Sequence, residues 1–215
     1  MSLDLLAARA GEVHLTVLGT CKAEESDRIG TGTLALLGPL EPGFWPHVTA
    51  SPEFQDGGPD PLDRWSRRVI DQLALDVGGR AHYPFGAPVH PFMTWALRTG
   101  RAWASPVHLL VHDTAGLMVS FRGAVQLDME LPAAEPRTAP CNSCASQPCR
   151  KACPARALTL DGYDLVACHG FLDTDEGEDC MKAGCQVRRA CPVSQSYGRM
   201  EAQSAFHMEN FHPWP

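Results

Sequence analysis

The sequence predicts an α+β chain in two parts: a layered α/β domain over residues 1–132, then a small cysteine-rich module over residues 133–215. Three observations predict it. Before residue 132, β-leaning apolar runs alternate with stretches of helical periodicity. The segment LPAAEPRTAP, residues 131–140, is rich in Pro and Ala and reads as a linker. Of the nine cysteines, only Cys21 precedes that linker.

In chain order, Val13 to Leu18 and Thr33 to Leu37 are short apolar runs with strand character. Residues 42–61 carry SPEFQDGGPDP and read as loop. Asp60 followed by Pro61 reads as an N-cap and a first-turn proline. After it Leu62, Trp65, Val69, Ile70 and Leu73 form one helical apolar stripe, ended by Gly78 and Gly79. Pro91 to Arg98 is a second helix, stopped at Gly100. His108 to His112 and Leu117 to Phe121 flank Asp113-Thr114-Ala115-Gly116 and read as a hairpin.

Composition narrows the function. At 44% hydrophobic and 20% charged, the 215 residues can fold around an ordinary core. No apolar run is long enough to span a membrane. The start, MSLDLLAARAGE, lacks the basic and apolar regions of a secretory signal, so a cytoplasmic protein is expected. The formal net charge of −7 argues against nucleic acid as the primary ligand. In a reducing compartment disulfides are a poor use for so many cysteines, and metal is a better one.

The cysteines fall in two groups. Cys141, Cys144, Cys149 and Cys153-Pro154 have the spacing C-x2-C-x4-C-x3-C-P. Bacterial ferredoxins use C-x2-C-x2-C-x3-C-P, with the fourth cysteine serving the other cluster in two-cluster proteins. Two extra residues, Pro148 among them, separate Cys144 from Cys149. Pro154 is expected to open a helix that carries Cys153 away. Cys168, Cys180, Cys185 and Cys191-Pro192 are spaced C-x11-C-x4-C-x5-C-P, looser but with the same Cys-Pro ending. By the crossover arrangement, Cys141, Cys144, Cys149 and Cys191 hold one [4Fe-4S] cluster, and Cys153, Cys168, Cys180 and Cys185 hold a second. Two zinc sites would also consume these cysteines. However, only one C-x2-C pair is present, and no zinc pattern favours two Cys-Pro endings. Buried structural cysteines are the remaining reading.

The chain around this motif resembles a known arrangement. It runs Ala87-Pro88-Val89, a helix ending in Thr99-Gly100-Arg101-Ala102-Trp103, the run Leu109-Leu110-Val111, then Gln126-Leu127-Asp128-Met129-Glu130-Leu131-Pro132 and the first cysteine group. This is similar to the epoxyqueuosine reductases and, more distantly, the corrinoid reductive dehalogenases. The resemblance covers roughly the second half of the chain, and the cysteine module also resembles bacterial ferredoxin-like 4Fe-4S proteins. It implies a nitroreductase-related, cobalamin-reductase-like first domain, a bound cobalamin or flavin, and two [4Fe-4S] clusters feeding it electrons. One departure stands out. Those reductases carry an acidic residue just before the Ala-Pro-Val turn, credited with protonating substrate. Tyr83-Pro84-Phe85-Gly86 supplies no carboxylate there, which argues against the same reaction.

Other residues read as structural. Cys21 is expected to be a small buried residue. His169 follows Cys168, but with the cysteines sufficient its expected place is beside a cluster or on the surface. His82, His90, His108 and His112 are expected to pack or face solvent, with a ligand or acid role as the sharper alternative. Trp65, Trp95 and Trp103 are expected in the core. Gly30-x-Gly32 lacks the third glycine of a dinucleotide fingerprint. The sequence identifies no catalytic residue. The function expected is an iron-sulfur electron-transfer protein serving a redox partner protein or a small-molecule acceptor. The alternatives are a corrinoid- or flavin-dependent reductase and a zinc-stabilised interaction protein.

Overall fold

The structure, a computed structural model, describes residues 2–130, 137–159 and 162–212. Most of the expected linker, residues 131–136, lies outside them. In chain order the first elements are α1 (Ser2–Glu12), β1 (Leu15–Lys22), β2 (Thr33–Pro39), α2 (Phe44–Thr49), α3 (Pro52–Gln55), α4 (Pro61–Val77), β3 (Arg80–His82) and α5 (Phe92–Arg98). They are followed by β4 (Ala102–Ala104), β5 (Leu110–His112), β6 (Gly123–Leu127), α6 (Pro140–Ser143), β7 (Leu158–Thr159) and β8 (Gly162–Tyr163). The last are α7 (Leu165–Leu172), α8 (Glu178–Ala183), α9 (Gln186–Ala190), α10 (Pro192–Gln195) and α11 (Glu201–Phe211). The chain is mixed α and β, as an α+β reading requires, and none of the described helices is long and apolar enough to cross a membrane.

Two compact units emerge. The first takes residues 1–101 and 120–137; the second takes residues 102–119 and 138–215. A single boundary at residue 132 would put residues 102–119 with the N-terminal part, whereas they pack with the cysteine-bearing unit.

The first unit is built on one antiparallel sheet, ordered β1-β2-β6-β3. Every residue of β2 and of β6 is buried. Both faces of these central strands are therefore covered, which is why β2 reads as a continuous apolar run without polar alternation. Helix α4 packs on β6 and β3, α1 on β1 and α4, and α5 on β1. The stripe expected on α4 is the buried one: Leu62, Trp65, Val69, Ile70 and Leu73, joined by Ser66 and Ala74. Gly78 ends it in the left-handed conformation at φ 66°, where a side chain would be strained. Trp95 of α5 is fully buried and its Nε1 donates to Asp27 Oδ1 at 2.9 Å, while Arg98 donates to the same carboxylate.

Several local expectations are corrected. Residues 42–61 are not a plain loop, because α2 and α3 lie within them, anchored by buried Phe44, Trp45 and Val48. Asp60 occupies the cap position of α4 but makes no side-chain cap; its carbonyl instead accepts from the amides of Asp63 and Arg64. Helix α1, assigned no element from sequence, buries Leu6 and Ala10. Leu117 to Phe121 is not a strand. The hairpin pairs β4 with β5, and residues 112 and 116 close a tight bridge after it.

Two tests follow from this packing. Leu36 is fully buried in β2, so Leu36→Ala should cost about 2–5 kcal/mol in urea unfolding. Arg68 donates through Nε and Nη2 to Glu53 at 2.5 and 3.0 Å and holds its carboxyl down to about 2 from an ordinary 4.5. That stabilisation is present above pH 4.5 and lost as pH falls through about 2. Glu53→Gln should remove this part of the acid dependence, read as a gap between the variant and parent urea midpoints that closes on acidification.

Candidate metal centre

The second unit has few of the large apolar side chains that fill the first, and sulfur takes part in its core. One buried cluster joins Val107, Val111, Leu117, Leu158 and Val187 to Cys149 and Cys191, with Cys141, Cys153 and Cys185 packed against it. Another joins Leu172 and Met181 to Cys180, with Cys168, Phe171 and Met208 against it. All nine cysteines are free thiols.

Short elements present them. Cys141 lies in α6 and Cys144 ends it, while Cys149 lies in a single 3-10 turn over Pro148–Lys151. Cys168 is in α7, whose first turn is capped by Asp164 accepting from the amide of Ala167 at 2.9 Å. Cys180 is in α8, and Cys185 stands at the start of α9. Cys191 stands at the start of α10, with Pro192 in its first turn. The other Cys-Pro behaves differently. Pro154 opens no helix; the chain makes a turn and enters β7. The short span from Cys153 to Leu158 leaves no room for a helix before the strand.

The thiols act on one another in two sets. Burial first, then the neighbouring Cys149, Cys191 and Cys144, push the Cys141 thiol above its ordinary value. Cys149 is raised by burial and then by Cys191 and Cys144. Cys168 is raised by burial, then by Cys185 and Cys153, and Cys180 by burial and Cys185. Four thiolates so placed repel one another unless a cation joins them. An all-sulfur donor set suits iron-sulfur clusters or zinc. Among the described residues, no three or more His, Cys, Asp or Glu side chains gather as a site for a single metal ion.

Surrounding groups touch the sulfurs. The amide of Ala157 donates to Cys153 Sγ at 3.3 Å, and the hydroxyl of Tyr163 donates to Cys168 Sγ at 3.2 Å. Arg188 donates to the carbonyl of Leu117 at 2.5 Å and feels the charge of Cys185. Sequence reading missed Tyr163, because nothing in a five-residue separation marks a tyrosine as a sulfur neighbour.

The histidines are engaged elsewhere. His169 Nδ1 lies 2.9 Å from His212 Nδ1, and His212 Nε2 lies 2.8 Å from Asp173 Oδ1. His112 is buried in β5, and its Nδ1 accepts from the amides of Thr114 and Ala115 at 3.1 and 3.2 Å. It holds the turn. His108 lies outside the strand at φ 57°, so the two do not share a strand face. In the first unit, His82 Nε2 lies 2.9 Å from Gln126 Oε1 and His90 stacks on Trp95; burial lowers the pKa of both rings. Tyr83, in the stretch without a carboxylate, donates to Asp71 Oδ1 at 2.6 Å beneath the guanidinium of Arg67. Cys21 is buried in β1, which pushes its thiol up to about 11. Trp65 and Trp95 are core residues, and Trp103 is partly buried.

The fold and the thiols together define an α+β chain with a sulfur-rich unit built as a candidate metal centre. About half of it is similar to one characterised protein: it is 37% identical over 109 residues to the epoxyqueuosine reductase of Alicycliphilus denitrificans. The match covers 49% of this chain and 29% of that enzyme, so the chain spans less than a third of the relative's length. No protein-family model matches the chain, and no solved structure matches it.

One close contact in this unit is testable. Gly116, at φ 57°, lies where an added Cβ would come 2.5 Å from the amide nitrogen of Ser194, and Ser194 Oγ accepts from the buried amide of Leu117 at 2.8 Å. Ser194→Ala leaves that amide unpaired and should cost about 1–3 kcal/mol, measured by chemical unfolding of the full chain.

Proposed function

We propose that this chain is an iron-sulfur electron-transfer protein whose second unit holds two [4Fe-4S] clusters. Cys141, Cys144, Cys149 and Cys191 would hold one, and Cys153, Cys168, Cys180 and Cys185 the other. The observation that carries this reading is the pair of thiol sets: each combines residues from both cysteine groups of the sequence, and within each the thiols are electrostatic neighbours. A [4Fe-4S] cluster supplies one-electron transfer when bound. The protein's own part is to bind and shelter it. Val107, Val111, Leu117 and Val187 exclude water from one side of the sulfurs, and Leu172 and Met181 do so around Cys180. A redox partner protein or small-molecule acceptor and a cytoplasmic location belong to the same proposal.

A second reading has its own support. The likeness to an epoxyqueuosine reductase favours a reductase in which the clusters serve a cobalamin or flavin on the first unit. Tight stoichiometric binding of either cofactor on reconstitution would favour the enzyme; binding of neither would favour the carrier. Against the same reaction stands the stretch Tyr83-Pro84-Phe85-Gly86, which carries no carboxylate of its own.

The decisive experiment is a metal inventory on protein purified without oxygen. About eight iron atoms per chain are expected, falling by about half in Cys144→Ser and in Cys185→Ser. About two zinc and no iron would overturn the proposal and favour a zinc-stabilised interaction protein.

A further inference from the structure

The two thiol sets sit in different electrostatic surroundings. Around Cys141, Cys144, Cys149 and Cys191, the donors to sulfur are backbone amides, those of Cys149 and Arg150. Among the described residues no side-chain hydroxyl or guanidinium donates to these sulfurs. The nearby cations, Arg150 and Lys151, are exposed, where water and salt weaken their reach.

Around Cys153, Cys168, Cys180 and Cys185 the surroundings are richer. Backbone amides of Ala157 and Gln186 donate to Cys153 and Cys180. The Tyr163 hydroxyl donates to Cys168 Sγ at 3.2 Å, its ring held parallel to Phe211 at 6.4 Å. Arg188 is only partly exposed, is tied to the Leu117 carbonyl, and has no carboxylate partner among the described residues. Its charge bears on Cys185 and Tyr163. The nearby acids are largely offset: Asp179 pairs with Arg189, Glu178 with Lys182, and Asp173 with His212.

Reduction adds one negative charge to a cluster, so a fixed cation and a hydrogen bond to sulfur both stabilise the reduced form. The cation acts more strongly when partly withdrawn from water. We propose that Tyr163 and Arg188 are positioning residues that set the potential of the Cys153/Cys168/Cys180/Cys185 cluster above that of its neighbour, making it the resting place of a single electron. This rests on the iron-sulfur reading above. The step is one electron gained with no ligand bond made or broken, and dithionite supplies that electron in the test.

The test is a dithionite titration of the full, iron-loaded chain followed by electron paramagnetic resonance. Two midpoints are expected in the parent. Tyr163→Phe and Arg188→Gln should each make reduction at the higher midpoint about tenfold less favourable, ~59 mV for one electron, and leave the lower midpoint in place. Arg188→Lys should retain most of the parent value. If either variant moves the lower midpoint, or Tyr163→Phe moves neither, the inference is overturned while the iron-sulfur reading stands. If the parent holds no iron, that reading fails first. Should Arg188→Gln lose iron, Tyr163→Phe decides the matter alone, because it keeps the ring and removes only the hydroxyl.

Discussion

The constraint on which the second unit depends is that its core is assembled partly from thiols. Cys149, Cys180 and Cys191 are buried and pack among leucines and valines. A thiol packs as a small apolar group and costs little as long as it keeps its proton. Brought together in fours, these groups acquire a second possible state, in which all are ionised around a cation. Protein packing alone gives the thiol form of this unit a small, irregular core. The helices around the sulfurs are short, most of them four to eight residues, and helices of that length have little stability of their own. Binding and folding are therefore expected to be coupled here.

The first unit relies on different physics. Its central strands are buried on both faces, and α1, α4 and α5 supply the cover. Two of the polar side chains drawn inside are matched: Arg122 donates to Asp63 and Ser66, and Gln126 Nε2 donates to the carbonyls of Ile29 and Thr31. On the iron-sulfur reading, the second unit would answer to loss of metal and the first to loss of packing.

What could be read from sequence followed the range of the interactions involved. The α4 stripe was legible because helix periodicity is local, and Thr33 to Leu37 because β2 is a continuous apolar run. The cysteine groups were legible because their spacing survives as text. The hairpin was misread because its second strand looked to be Leu117 to Phe121. The amide of Leu117 instead goes to Ser194, 77 residues away, a partner no window could suggest. Helix α1 was passed over because its burial rests on just two positions, Leu6 and Ala10. The Tyr163 contact and the Arg188 anchor were likewise hidden, since each depends on how turns bring side chains to sulfur.

The bond from Ser194 to Leu117 also bears on how such a chain could have been put together. The sulfur-bearing body borrows its hydrophobic wall, Val107, Val111 and Leu117, from a stretch that the chain traverses before it completes the sheet of the other body. A cassette cut at residue 132 and grafted onto another carrier would leave that wall behind. The two bodies are interleaved along the polypeptide, so shuffling at that single point could not have joined them as finished pieces.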